Sequence, residues 1–111
     1  MTRGELRDHA RQILDAALAA ADPYQAVKAA LSLEGDILTV AGQKIDLGQY
    51  QRVIAVGAGK AGAPMARALE EALDARLKGG LVVVKDGHGG PTSTIRIVEA
   101  SHPVPDRRGV E

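Results

Sequence analysis

The passage from Val53-Ile54-Ala55-Val56 straight into Gly57-Ala58-Gly59-Lys60-Ala61-Gly62 constrains this chain more than any other feature. A continuous apolar run of that length suits a strand buried on both faces. The glycines let the backbone turn tightly, and a helix is expected from about Ala63 to Leu77. Met65, Leu69, Leu73 and Leu77 are spaced to form its buried stripe, and Pro64 sits in its first turn, where a missing N–H costs little. Gly79-Gly80 reads as the stop, and Leu81-Val82-Val83-Val84 as a second buried strand. A strand–loop–helix–strand unit over 52–85 predicts an α/β fold.

The segments around this unit have shorter signatures. From residue 5 to residue 21 the apolar positions Leu6, Ile13, Leu14 and Leu18, with Ala10, Ala17 and Ala21, fall on one helical face. Thr2 and Glu5 have the spacing of a capping box for this helix. Asp22 and Pro23 supply an N-cap and a first-turn proline for a second helix over 23–33, with Tyr24, Val27, Ala30 and Leu31 along one side. Ile37 to Val40 and Lys44 to Leu47, split by Ala41-Gly42-Gln43, predict a small β-hairpin over 37–47. A third strand is expected at 94–99, where Ile95 and Ile97 alternate with Thr94 and Arg96. Asp106 then caps what reads as the first turn of a further helix.

Composition narrows the classes. At 111 residues the chain is enough for one domain or a piece of one. Fourteen basic and fourteen acidic residues leave no cationic surplus for a phosphate backbone, so nucleic acid is an unfavoured partner. The absence of cysteine removes disulfide scaffolds, thiol catalysis and Cys-based metal centres, and fits a cytoplasmic location. No apolar run reaches the roughly 20 residues that cross a bilayer, so no membrane partner is expected. Tyr24 and Tyr50 are the sole aromatic residues against nineteen alanines. A core built that way buries little apolar area per residue, which suggests a fragment that packs against more protein.

Gly57, Gly59 and Gly62 satisfy G-x-G-x-x-G after a strand and at the opening of a helix, where free N–H groups and the helix dipole favour a phosphate or carboxylate. Lys60 aims a cation at the same place; the bland reading of the turn is a ligand-free strand-to-helix connection. A Walker-type loop fails, because Lys60 is followed by Ala61 and position 54 is isoleucine. A dinucleotide site wants an acidic residue at the end of the second strand, and Asp86, one step beyond Lys85, leaves that reading weakened but open.

Lys85, Asp86 and His88 lie in a glycine-rich loop that is either a ligand loop or a polar surface turn. Pro103 and Pro105 stiffen a second loop that could present His102 or Ser101 to a ligand. His9, His88 and His102 lack metal-ligand spacing, and no metal site is expected. The link from Lys85 to Thr94 is short for a parallel crossover. An antiparallel pairing would place the His102 loop at the opposite end of the sheet from the lysine loop.

Three motifs in order, Val56-Gly57-Ala58-Gly59-Lys60-Ala61 with Met65-Ala66, Val83-Val84-Lys85-Asp86-Gly87-His88, and His102-Pro103-Val104-Pro105-Asp106, together resemble the N-terminal domain of the glycerate 2-kinase family. The opening run Arg11 to Leu18 followed by Asp22-Pro23 is similar to the family's start, so the likeness covers nearly the whole chain. It implies a Rossmann-like three-layer α/β domain with N-terminal helices and a small β-hairpin, incomplete at the C-terminus, of which 1–111 is the N-terminal portion. It also implies transfer of the ATP γ-phosphate to D-glycerate, with Mg²⁺ on the ATP oxygens and a missing C-terminal domain that closes the site. Lys60 would be the catalytic cation, and Gly57, Gly59, Lys60, His88 and His102 the phosphate-binding set. Some family members carry the label hydroxypyruvate reductase, so an NAD(P)H-dependent reductase is the alternative, and a non-catalytic anion-binding module is the third reading. A homo-oligomer is compatible with all three.

Overall fold

The protein is described by a computed structural model covering residues 1–110. Helix α1 (Arg3–Ala20) leads to α2 (Pro23–Ala30), followed by an antiparallel sheet of β1 (Leu31–Glu34), β2 (Ile37–Val40) and β3 (Gln43–Asp46). A second sheet is parallel: β4 (Val53–Ala58) runs into α3 (Gly62–Leu73), then β5 (Leu77–Lys85) and β6 (Ile95–Ala100), in the order β4-β5-β6. Single 3-10 turns follow β3, α3 and the loop after β6.

The helix starts have local causes. Glu5 N–H donates to Thr2 Oγ1 at 3.2 Å and Thr2 N–H to Glu5 Oε2 at 2.8 Å, a reciprocal capping box. At α2, Tyr24 N–H donates to the Asp22 carboxylate at 3.0 Å, and Pro23 occupies the position whose N–H would be orphaned anyway. The apolar stripe of α1 finds no cover among the described residues: no residue of this helix is buried, and Ile13 is 71% exposed. The α2 helix does pack. Its Tyr24 hydroxyl donates to Glu71 of α3, Lys28 pairs with the same carboxylate at 3.5 Å, and the Arg67 guanidinium lies 4.6 Å from the Tyr24 ring centre.

Three boundaries differ from the sequence expectation by three residues or more. The second helix stops at Ala30, because Leu31–Glu34 pairs with Ile37–Val40 and turns the expected hairpin into a three-stranded meander. Helix α3 stops at Leu73, well before the glycine pair, and Asp74 adopts φ +46°. Gly79-Gly80 lie inside β5, and Leu77, expected on the helix stripe, is a buried strand residue. Here glycine serves close approach, since a Cβ on Gly80 would stand 2.4 Å from the Ala55 carbonyl oxygen.

The pairing of β5 with β6 is parallel, with Val82 opposite Ile97 and Lys85 opposite Ala100, so the antiparallel alternative is overturned. Nine residues, 86–94, make the crossover. Fully extended they reach about 30 Å, more than the roughly 20 Å of β6 they must run back along, so no second helix is required. The link lies against α3: a Cβ on Gly90 would meet Ala63 at 3.4 Å, and further along the Glu70 carboxylate accepts from the backbone N–H groups of Ser93, Thr94 and Ile95. Glu70 thus fixes where β6 begins. Partial burial works against its charged form, but the three backbone donors prevail and hold its carboxyl below the usual value.

Glu70→Gln is therefore expected to cost about 1 kcal/mol near neutral pH, allowing for the half-exposed position. A carboxyl with a lowered native pKa contributes stability above the unfolded value, and this is lost as pH falls through the native one. The gap between wild type and variant in urea unfolding should therefore narrow below about pH 4. A gap independent of pH would refute the charged clasp.

On one face of the parallel sheet Val82, Val84 and Ile95 pack with Ala66, Leu73 and Leu77, joined by Leu38 of β2 and Leu47 of the 3-10 turn after β3. The other face carries Ile54 and Val56, 58% and 80% exposed, and Leu81, also exposed. Within the described residues the helices of the expected three-layer arrangement cover one face alone.

Candidate functional site

Because all three strands of the second sheet run the same way, their carboxyl ends lie along one edge. Chain leaving β4 carries Gly59 and Lys60, chain leaving β5 follows Lys85 with Asp86 and His88, and chain leaving β6 carries Ser101 and His102. Crevices at this edge are where open α/β sheets place ligands. An open cleft of about 180 Å³ lies there, lined by Gly59, Lys60, Lys85, Ser101, His102 and Pro105 among others.

The turn is built for backbone access. Gly59 has φ +121°, which an L side chain rarely adopts, and its N–H donates to the Val83 carbonyl at 2.9 Å, tying the turn to β5. Gly62 N–H closes back on the Gly59 carbonyl at 3.0 Å. A Cβ on Gly62 would come within 2.5 Å of Val82, so the third glycine seats α3 on the strand. No side chain caps α3, and no acidic residue stands in its first turn, which leaves the positive end of its dipole uncompensated. Lys60 is exposed beside it.

The proposed residues do not all meet. Lys60, Gly59 and His102 share the cleft. Gly57 is the fifth residue of β4 and lines a separate apolar cleft of about 250 Å³ with Val27, Met65 and Leu69. His88 is exposed and held in its own turn: its N–H donates to the Lys85 carbonyl at 2.9 Å, its Nδ1 lies 3.3 Å from the Asp86 carbonyl, and it does not line the cleft. Lys85, which the sequence placed in the loop without assigning it a part in phosphate binding, is half-buried at the end of β5 and lines the cleft.

One residue that the sequence did not single out does not line this cleft but links the loops that do. Arg108 donates Nη1–H and Nη2–H to the two oxygens of Asp86 at 2.8 and 2.6 Å, and Nε–H and Nη2–H to Asp106 Oδ2 at 3.0 and 2.8 Å. The Arg108 side chain holds the Asp106 carboxyl below the usual range, helped by backbone N–H donors at Ser101 and Arg108 against a burial penalty. Asp86 and then Asp106 make Arg108 harder still to deprotonate. Among the described residues no three His, Asp or Glu side chains stand together to hold a metal ion, so this set does not by itself fit Mg²⁺. No described helix is long and apolar enough to cross a membrane.

A parallel β-strand that ends in a glycine turn with a lysine at an uncapped helix start defines an α/β domain whose carboxyl edge presents a cation beside free helix N–H groups. The chain belongs to the family described as "Domain of unknown function (DUF4147)", the N-terminal domain of the glycerate 2-kinase family, whose profile matches residues 9–111. It is 36% identical over 106 residues to a glycerate 2-kinase from Pyrococcus horikoshii, covering 96% of this chain and 23% of that protein. Over 60 residues it is 50% identical to a putative hydroxypyruvate reductase from Agrobacterium vitis, covering 54% of this chain and 16% of that one. A crystal structure of a protein from Pyrococcus horikoshii OT3 superposes with a TM-score of 0.80 at 34% identity, over 95% of this chain and 23% of its own. A glycerate kinase from Thermotoga maritima gives 0.65 at 30% identity, over 95% and 22%. The chain spans less than a quarter of the length of the curated relatives it matches.

Proposed function

We propose that residues 1–111 form the N-terminal portion of the α/β domain of an enzyme that transfers the γ-phosphate of ATP to D-glycerate. The 2-hydroxyl oxygen would bond to the γ-phosphorus as the bond from that phosphorus to the ADP oxygen breaks, giving 2-phosphoglycerate, ADP and the released hydroxyl proton. The convergence of Lys60 and the His102 loop in one cleft at the carboxyl edge of a parallel sheet carries this reading. Negative charge spreads over the phosphoryl oxygens during transfer, and a fixed cation beside uncapped helix N–H groups lowers its energy without reorganising. Gly59 shapes the turn, Lys60 supplies the charge, and His102 closes the opposite wall; Gly57 and His88 act through the fold of their strand and turn.

The reductase alternative needs the acidic residue after β5 for a ribose. In this chain Asp86 is engaged through both oxygens by Arg108, which argues for phosphoryl transfer over dinucleotide binding. The 111-residue chain alone is expected to show no ATP-dependent phosphorylation of D-glycerate, because on this reading the closing wall would come from the length that the relatives have beyond it. A polypeptide of that length carrying this region is expected to consume ATP with glycerate and to leave NADH and NADPH unoxidised with hydroxypyruvate. Robust oxidation of either nicotinamide would exclude the kinase reading. Phosphate binding without either turnover would favour the non-catalytic module.

A further inference from the structure

The segment after β6 is tied down by two carboxylates and one guanidinium. Asp106, at the far end of the loop, accepts from the backbone N–H of Arg108 at 3.1 Å. Its side chain also takes Arg108 Nε–H at 3.0 Å. The remaining edge of the same guanidinium forks onto Asp86, just past the end of β5, whose own N–H reaches the Ala100 carbonyl at 3.0 Å. Single exposed ion pairs are worth little, but a bidentate arginine shared between two carboxylates is the geometry in which they do matter.

We propose that Arg108 is a positioning residue of the cleft, its forked contact with Asp86 and shared contact with Asp106 setting the His102 loop against the ends of β4 and β5. The inference rests on the reading of that cleft as a phosphate site, and it has two physical parts. Arg108 spans from one loop to the other, which a lysine's single ammonium cannot reproduce in two directions. It also compensates the carboxylates of Asp86 and Asp106, next in sequence to the cleft residues Lys85 and Pro105, which would otherwise repel the anion that Lys60 and Lys85 attract.

The test uses the 111-residue chain, isotope-labelled and titrated with inorganic phosphate at constant ionic strength, as wild type, Arg108→Lys and Arg108→Gln. Both variants are expected to bind phosphate about tenfold more weakly or worse, as read from the Gly59 and Lys60 amide shifts. Without phosphate, the Ser101 amide and the His102 ring signals of both variants should move toward those of an unstructured chain while core amides stay in place. Wild-type affinity or unchanged loop signals in Arg108→Lys would overturn the proposal, since charge alone would then suffice. If wild type shows no phosphate response but the loop signals still depend on Arg108, the phosphate reading fails and the positioning role stands. Should a variant unfold, Asp86→Asn, which removes the fork and keeps Arg108, is followed by the same amide and ring signals: weakened phosphate binding with a loosened loop supports the proposal, and wild-type behaviour overturns it.

Discussion

Replacing Gly80 with alanine should destabilise this protein by about 3 kcal/mol or more, whereas the same change one residue earlier should have little effect. The contrast follows from the local geometry. A Cβ on Gly80 would sit 2.4 Å from the Ala55 carbonyl oxygen and 3.2 Å from two further Ala55 backbone atoms, so strand β4 itself must move. A Cβ on Gly79 meets nothing within 4 Å, and neither glycine has the positive φ that would penalise a side chain. Strand β5 is the centre of the parallel sheet, hydrogen-bonded on both sides, so a shift there propagates to both β4 and β6. The core has little reserve, with three alanines of α3, Ala63, Ala66 and Ala68, among its buried residues. For a domain of this size a loss of 3 kcal/mol lowers Tm by roughly 12–24 °C. Thermal unfolding of Gly79→Ala and Gly80→Ala side by side measures it, and equal midpoints would show that β4 and β5 do not pack as described.

The same glycines show what a sequence reveals and what it withholds. The unit β4–turn–α3 was legible because an apolar run, a glycine turn and a helical stripe each have their own period. The end of α3 was not, since Leu69, Leu73 and Leu77 continue the helical spacing beyond the point where Asp74 turns the chain. A glycine pair looks the same in sequence whether it breaks a helix or makes room for a neighbouring carbonyl. Strand β1 was hidden for a related reason: Leu31 and Leu33 gain their strand character by pairing with Val40 and Leu38, a tertiary contact.

Within the candidate site, Lys60, Gly59 and His102 could be named from motif and context, but their meeting depended on the direction of β6. The start of β6 in that direction is anchored by Glu70 gripping Ser93, Thr94 and Ile95 across more than twenty residues of chain. Arg108 carried no signal at all, because two residues after a capping aspartate it resembles any solvated arginine. Its significance lies in Asp86, 22 positions away.

Lys60 is expected to account for the largest functional effect. Its replacement by alanine should leave stability nearly unchanged, since the side chain is exposed and extends from a turn held by backbone bonds of Gly59 and Gly62. In a polypeptide of the relatives' length, kcat for ATP-dependent glycerate phosphorylation should fall by about 10² or more, the size of effect seen when one preorganised charge-stabilising group is removed from a developing oxyanion. KM should change less, because the extra charge on the transferring oxygens is present chiefly in the transition state. Lys60→Arg separates charge from placement: it keeps the cation, but its planar fork is longer and must fit between Lys85 and the His102 loop in a cleft of about 180 Å³. Partial recovery of kcat by arginine would assign the effect to charge at the turn. Wild-type kcat and KM in both variants would make Lys60 a solvated bystander and would move the phosphate site away from the carboxyl edge of the sheet.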